Sequence, residues 1–215
     1  VSLMKYMIVK YLIVLLLSLL TIQPVSSAPA DGPAGILVLG DSLSGAYGID
    51  RTRGWVSLLQ QKLDAEGYGY RLINASVSGD TTRTGLGRID TALASHSPEI
   101  AIIALGGNDG LRGLPFDEIE NSLANIIERC RTSGTRVLLV GVRLPPNYGS
   151  AYTQKFAAIY TTLAQRYQIP LVPRVLEDIA EHPELMQQDG IHPTAAAQPK
   201  VMMNIWTGLE PMLKQ

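Results

Sequence analysis

The stretch Ile36-Leu37-Val38-Leu39-Gly40-Asp41-Ser42-Leu43-Ser44 decides how this chain is read. Its four leading apolar residues predict a short buried strand, which Gly40 bounds. Asp41 and Ser42 follow at the carboxyl end of that strand, the edge of an open α/β sheet where ligands and reacting groups collect. A serine hydroxyl is barely ionised at neutral pH. Ser42 reacts as a nucleophile only with a base in hydrogen-bond reach, a group that orients the base, and donors for an oxyanion. The rest of the chain offers candidates for each part.

Outward from this stretch, Trp55, Leu58, Leu59 and Leu63 follow helical spacing, and Gly67 ends that segment. Tyr70-Arg71-Leu72-Ile73-Asn74 reads as a second strand, followed by small polar residues 75–82 that open onto a helix reaching about Leu93. Residues 100–105 form a continuous apolar run, the pattern of a strand buried on both faces. Gly106-Gly107-Asn108-Asp109-Gly110 then repeats the theme of a polar, glycine-rich loop at a strand's carboxyl end. The pattern further predicts a helix over 116–131, a strand over 135–142, a long helix reaching Tyr167 and a short strand over 169–172. One more helix is expected within 173–182, and another at the C-terminus. Strands alternating with helices at this spacing predict a three-layer α/β/α fold. The sheet is expected to be flavodoxin-like, with five parallel strands in the order 2-1-3-4-5.

The 215 residues suit one domain, and 46% of them are hydrophobic, ample for a core. Lys5 and Lys10 precede the apolar run 11–20, and Ala28-Pro29-Ala30 follows it. A basic start, a short apolar run and small residues at −3 and −1 predict a secretory signal peptide over 1–30, with the domain over 31–215. The expected location is therefore periplasmic or extracellular. A net charge of −1 without a basic cluster argues against a nucleic-acid surface. The single Cys130 cannot form an internal disulfide, and its helical setting predicts a buried small hydrophobe. No Cys/His cluster has zinc-like spacing, so neither metal nor cofactor is expected.

There are three histidines. His96 ends a predicted helix and His182 precedes Pro183 in a polar segment, whereas His192 stands three residues after Asp189, with Gly190 permitting a tight turn. A carboxylate so placed can hold the Nδ1–H of the imidazole and leave Nε2 facing a serine. Asp-Gly is also ordinary turn chemistry. Oxyanion donors are available from the Ser42 N–H, the Gly79 N–H and the Asn108 side-chain amide. Taken singly, Gly79 also reads as a loop glycine and Asn108 as a cap or turn residue.

Four blocks occur in order: Gly40-Asp41-Ser42-Leu43-Ser44, Ser78-Gly79-Asp80-Thr81-Thr82, Gly106-Gly107-Asn108-Asp109 and Asp189-Gly190-Ile191-His192-Pro193. With them the chain resembles the SGNH (GDSL-type) hydrolase family across the whole mature part. Within that family it looks closest to the periplasmic acyl-CoA thioesterase I, protease I and lysophospholipase subgroup and its arylesterase relatives. The resemblance implies Ser42 as nucleophile, His192 as general base and acid, and Asp189 as its orienting carboxylate. It also implies an oxyanion hole of Ser42 N–H, Gly79 N–H and Asn108 Nδ2, in a shallow, exposed site without a cofactor. Asp109, beside Asn108, is a rival acid, but Asp189 has the shorter tie to His192.

The implied reaction is hydrolysis of acyl esters or thioesters through an acyl-enzyme. The loops that carry Leu111 and Leu114, and Pro145 and Tyr148, are expected to line an acyl groove, with Asp41, Leu43 and Ile191 beside the reacting groups. The expected partners are a small acyl ester or thioester and, at most transiently, membrane lipid, with the protein acting as a monomer. Two alternatives stand beside this reading. One is a carbohydrate acetylesterase of the same superfamily, the other a non-catalytic periplasmic ligand-binding protein.

Overall fold

A computed structural model of the chain describes residues 33–213. The expected signal peptide lies outside the described residues. Strand β1 (Ala34–Gly40) pairs in parallel with β2 (Tyr70–Asn74) on one side and β3 (Ile100–Ala104) on the other. Strand β3 pairs with β4 (Arg136–Val140), and β4 with the two-residue β5 (Leu171–Val172). The order is β2-β1-β3-β4-β5, all parallel, as expected from the alternating pattern.

Alternation along the strands divides the core in two, because successive side chains point to opposite faces. Ile36, Val38, Ile100, Ile102, Leu138 and Val140 face one layer. There they meet Trp55, Leu59 and Leu63 of helix α1 (Trp55–Ala65) and Val201, Ile205 and Leu209 of the C-terminal helix (Gln198–Leu209). Leu37, Leu39, Ala101, Ile103, Val137 and Leu139 face the other layer. That layer comprises helices α2 (Thr82–His96), α4 (Phe116–Thr132) and α5 (Ser150–Tyr167). Ile119, Leu123, Ile126 and Ile127 of α4 are fully buried, each contributing about 1.5–3 kcal/mol of transfer free energy. Cys130 is buried among them, and burial pushes its thiol up to about 12, so it is inert at neutral pH.

Two local expectations need correction. Directly after β3 the chain does not run as an open loop but forms a short helix, α3 (Gly107–Leu111). Gly106 makes this possible: its φ is +116°, and a Cβ there would lie 2.1 Å from the Tyr160 hydroxyl. The second correction concerns the helix expected within 173–182. That segment is a series of turns with mostly i→i+3 bonds, such as Glu177 N–H to Arg174 O and Ile179 N–H to Leu176 O. Two causes are visible. Asp178 takes a left-handed φ of +52°, and Asn204 of the C-terminal helix donates to the carbonyls of Val175 and Glu177, which a helix would use for its own ladder. The helix reached at Gln198–Leu209 is labelled α6 below.

Candidate active site

The carboxyl ends of β1 and β3 and the segment before α6 meet at one edge of the sheet. At the end of β1, the Asp41 carbonyl accepts the N–H groups of Ser44 and Gly45, while its Oδ1 accepts the Leu43 N–H at 3.0 Å. This turn carries Ser42. Ser42 Oγ lies 2.8 Å from His192 Nε2, across 150 residues of sequence. His192 Nδ1 in turn lies 2.6 Å from Asp189 Oδ2.

The histidine loop is held on both sides. Asp189 Oδ1 accepts the backbone N–H groups of Ile191 (2.9 Å) and His192 (3.0 Å), so one carboxylate shapes the turn with one oxygen and orients the ring with the other. Burial alone would raise the Asp189 carboxyl. The backbone and ring hydrogen bonds from His192, with the Ile191 N–H, outweigh it and hold the group down at about 2. Gln187 N–H donates to the His192 carbonyl at 2.7 Å, and Gln187 Nε2 donates to the carbonyls of Pro193 and Tyr47. The exposed Tyr47 ring covers the imidazole, with centroids 4.4 Å apart. Tyr47 and Gln187 escape a sequence reading, because nothing in their neighbourhoods marks a contact so distant along the chain.

The donor candidates gather beside Ser42. Asn108, in α3, points Nδ2 to the carbonyl of Asp80 (3.0 Å) and to Asp41 Oδ2 (3.3 Å). Gly79 occupies the third position of a turn closed by Asp80 N–H to Val77 O, and its φ of +86° is one that a glycine accepts without strain. Neither the Ser42 nor the Gly79 N–H has an acceptor among the described residues, so both are available to a ligand. Asp109 is not at the reacting edge. It is buried and accepts both the N–H and the hydroxyl of Thr82, tying α3 to the start of α2. His96 and His182 are exposed and take no part.

A cavity of about 380 Å³ opens beside Ser42 and His192. Asp41, Leu43, Leu111, Pro145 and Ile191 line it, together with the unforeseen Leu176, Ala180 and Met186. The last three belong to the stretch of turns that replaces the expected helix and to its continuation, so helical spacing could not place them at the cavity. Arg143 and Glu181, paired at 2.8 Å, also line it. Leu114 and Tyr148 do not: Leu114 packs against the core of the layer that holds α2, α4 and α5. The Tyr148 hydroxyl donates to the Leu111 carbonyl, bracing that loop from outside. Among the described residues no group of His, Cys, Asp and Glu is placed to hold a metal ion.

Asp41 is the strained member of the group. It is 4% exposed, and burial pushes its carboxyl up to about 6. The Leu43 N–H, the charge of His192 and the Asn108 amide offset this in part, while the charge of Asp109 adds to it. Between its ordinary value of 3.8 and about 6 the native state binds more protons than the unfolded chain. Stability therefore falls as pH rises through that window, and the deficit, about 3 kcal/mol at most, is complete above it. Asp41→Asn is accordingly expected to raise the unfolding free energy at pH 7 and to change it little at pH 4. Its activity should nevertheless fall, because an amide cannot accept from both Leu43 and Asn108. Urea titrations at the two pH values, with an ester assay at pH 7, check both outcomes.

A match to the model of the GDSL-like lipase/acylhydrolase family covers residues 38–198, from β1 through the histidine loop. The chain belongs to that family. It is a hydrolase. It is similar to esterase TesA of Pseudomonas aeruginosa, with 47% identity over 178 residues, 83% of this chain and 89% of that protein. It is also similar to thioesterase 1/protease 1/lysophospholipase L1 of Escherichia coli strain K12, with 39% identity over 178 residues, 83% of this chain and 84% of that protein. A crystal structure of TesA superimposes with a TM-score of 0.82 at 46% identity, covering 83% of this chain and 99% of that one.

Proposed function

We propose that this hydrolase cleaves acyl esters and thioesters through an acyl-enzyme on Ser42. The observation that carries the reading is the unbroken chain from Ser42 Oγ through His192 to Asp189, at 2.8 and 2.6 Å, at the mouth of an apolar cavity. In the first step Ser42 Oγ attacks the acyl carbonyl while His192 Nε2 takes its proton. The oxyanion receives hydrogen bonds from Ser42 N–H, Gly79 N–H and Asn108 Nδ2, which gives up its longer contact, to Asp41 Oδ2 at 3.3 Å, to reach it. His192 then passes that proton to the leaving alcohol or thiol as the bond to the acyl carbon breaks. Water, deprotonated by His192, attacks the acyl-enzyme and regenerates Ser42. Asp189 keeps the imidazole in the tautomer whose Nε2 is free to accept.

The cavity favours an acyl chain of several carbons over an acetyl group. Leu43, Leu111, Leu144, Pro145, Leu176 and Met186 supply a mostly apolar lining, and each methylene buried there contributes about 0.8 kcal/mol. Hydrolysis of p-nitrophenyl esters from acetyl to palmitoyl tests this. kcat/KM is expected to rise by about fourfold per methylene while the chain remains within the cavity, and then to level off. Activity confined to acetyl esters would instead favour a carbohydrate acetylesterase.

Export is part of the proposal, with residues 1–30 as a cleaved signal peptide and action in the periplasm or outside the cell. Among the described residues no helix is long and apolar enough to cross a membrane. The enzyme would work as a monomer, meeting lipid only transiently when its substrate is a lipid.

A further inference from the structure

We infer that Arg88, which lies outside the cavity lining, is a positioning residue for the oxyanion donors; the inference rests on the roles proposed for Ser42, Gly79 and Asn108. The loop of residues 75–80 carries Gly79 and ends at Asp80, whose carbonyl receives the Asn108 amide at 3.0 Å. Its first half is stitched to β1, by Ala75 N–H to Val38 O and Val77 N–H to Gly40 O. Its second half, with Ser78 and Gly79 exposed, has no such backbone pairing to the sheet.

Arg88 supplies the missing restraint. It stands in the second turn of α2, and side chains on a helix lean toward its N-terminus, which here means toward Asp80. One guanidinium nitrogen donates to the Ala75 carbonyl at 2.9 Å, and another pairs with Asp80 Oδ2. A single planar group therefore closes the neck of the loop, gripping both ends of the segment that presents Gly79. The Asp80 side chain is 11% exposed and that of Arg88 34%, whereas in Arg143–Glu181 both partners are about half exposed. A shielded, forked arginine contact fixes geometry in a way that an exposed pair does not. Arg112, donating to the Gly79 carbonyl at 3.1 Å, adds a second, exposed restraint on the same loop.

Both donors depend on this clamp, Gly79 directly and Asn108 through the Asp80 carbonyl that holds its amide. Oxyanion donors act only within hydrogen-bond distance of the developing charge. The walls of the acyl cavity belong to other segments. Releasing the loop thus weakens the transition state and leaves ground-state binding alone, so the loss falls on kcat.

The test compares Arg88→Met, Arg88→Lys and Asp80→Asn with wild type on the best p-nitrophenyl ester. For Arg88→Met and Asp80→Asn, kcat is expected to fall by about 30- to 100-fold, the scale of a misplacement near 1 Å, with KM within about twofold of wild type. Arg88→Lys, which keeps the charge and loses the fork, should lie between. Millimolar guanidinium should restore part of kcat to Arg88→Ala, and inactivation of Arg88→Met by an alkyl phosphonate should slow in parallel with kcat. Wild-type kcat in Arg88→Met, or a loss carried by KM alone, overturns the inference. If Arg88→Met does not fold, Arg88→Lys and Asp80→Asn decide by the same criteria. Ser42→Ala run alongside separates the two readings: activity retained there overturns the serine mechanism itself, whatever Arg88 does.

Discussion

Replacing Ser42 with alanine is expected to lower kcat on a p-nitrophenyl acyl ester by about 10⁵- to 10⁶-fold, the loss seen when an acyl-transfer nucleophile is removed. Ser42 Oγ bonds to His192 and to no other group among the described residues, so its removal takes away the proposed attacking atom and little else. The turn around it is held by the Asp41 carbonyl and carboxylate, which the substitution leaves in place. The variant should therefore unfold within about 0.5 kcal/mol of wild type. Its residual rate should still exceed that of water, because the donors and the cavity remain. A fluorophosphonate probe should label wild type and not the variant. Labelling of Ser42→Ala, or undiminished turnover, would mean that another residue carries the acyl group.

The second large effect is expected at Asp189. Asp189→Asn preserves the shape of the side chain, and its carbonyl oxygen can still accept the Ile191 and His192 amides that form the turn. The NH₂ group then faces His192 Nδ1 and donates to it. The imidazole must carry its proton on Nε2, where it can no longer accept the proton of Ser42. A fall of about 10³- to 10⁴-fold in kcat is expected, with KM little changed. The pH dependence follows from the same carboxylate. With its native value held near 2, Asp189 is ionised at every pH above its ordinary value of 3.8. Its contribution to stability is complete there and is lost as pH falls through the native value. The activity deficit of Asp189→Asn should accordingly persist across neutral and mildly alkaline pH. Recovery of activity at high pH would count against the tautomer argument.

The rival acid, Asp109, illustrates how far sequence proximity misleads. It is adjacent to Asn108, yet it is turned away from the reacting edge and bonded to Thr82. Asp189 sits three residues from His192, close enough for the backbone of one turn to dictate the contact. Where the partner lies within a turn, the sequence is sufficient to name it.

The same division holds for the fold. The apolar run from Ile100 and the helical spacing of Ile119, Leu123, Ile126 and Ile127 are local periodicities, and local periodicity is what burial imposes on a strand or a helix. They determine the alternation of elements, hence a parallel sheet and the edge at which Ser42, Gly79, Asn108 and His192 collect. Residues 173–182 carry comparable apolar residues and form no helix, because Asn204 captures their carbonyls from another element. The Arg88 clamp, the Tyr47 ring over His192 and the cavity wall of Leu176, Ala180 and Met186 are equally invisible in one dimension. The sequence by itself determined the order of elements and the chemistry at the strand ends, since both depend on short-range spacing. Only the tertiary structure decided which distant groups restrain them, since those contacts depend on how whole elements pack.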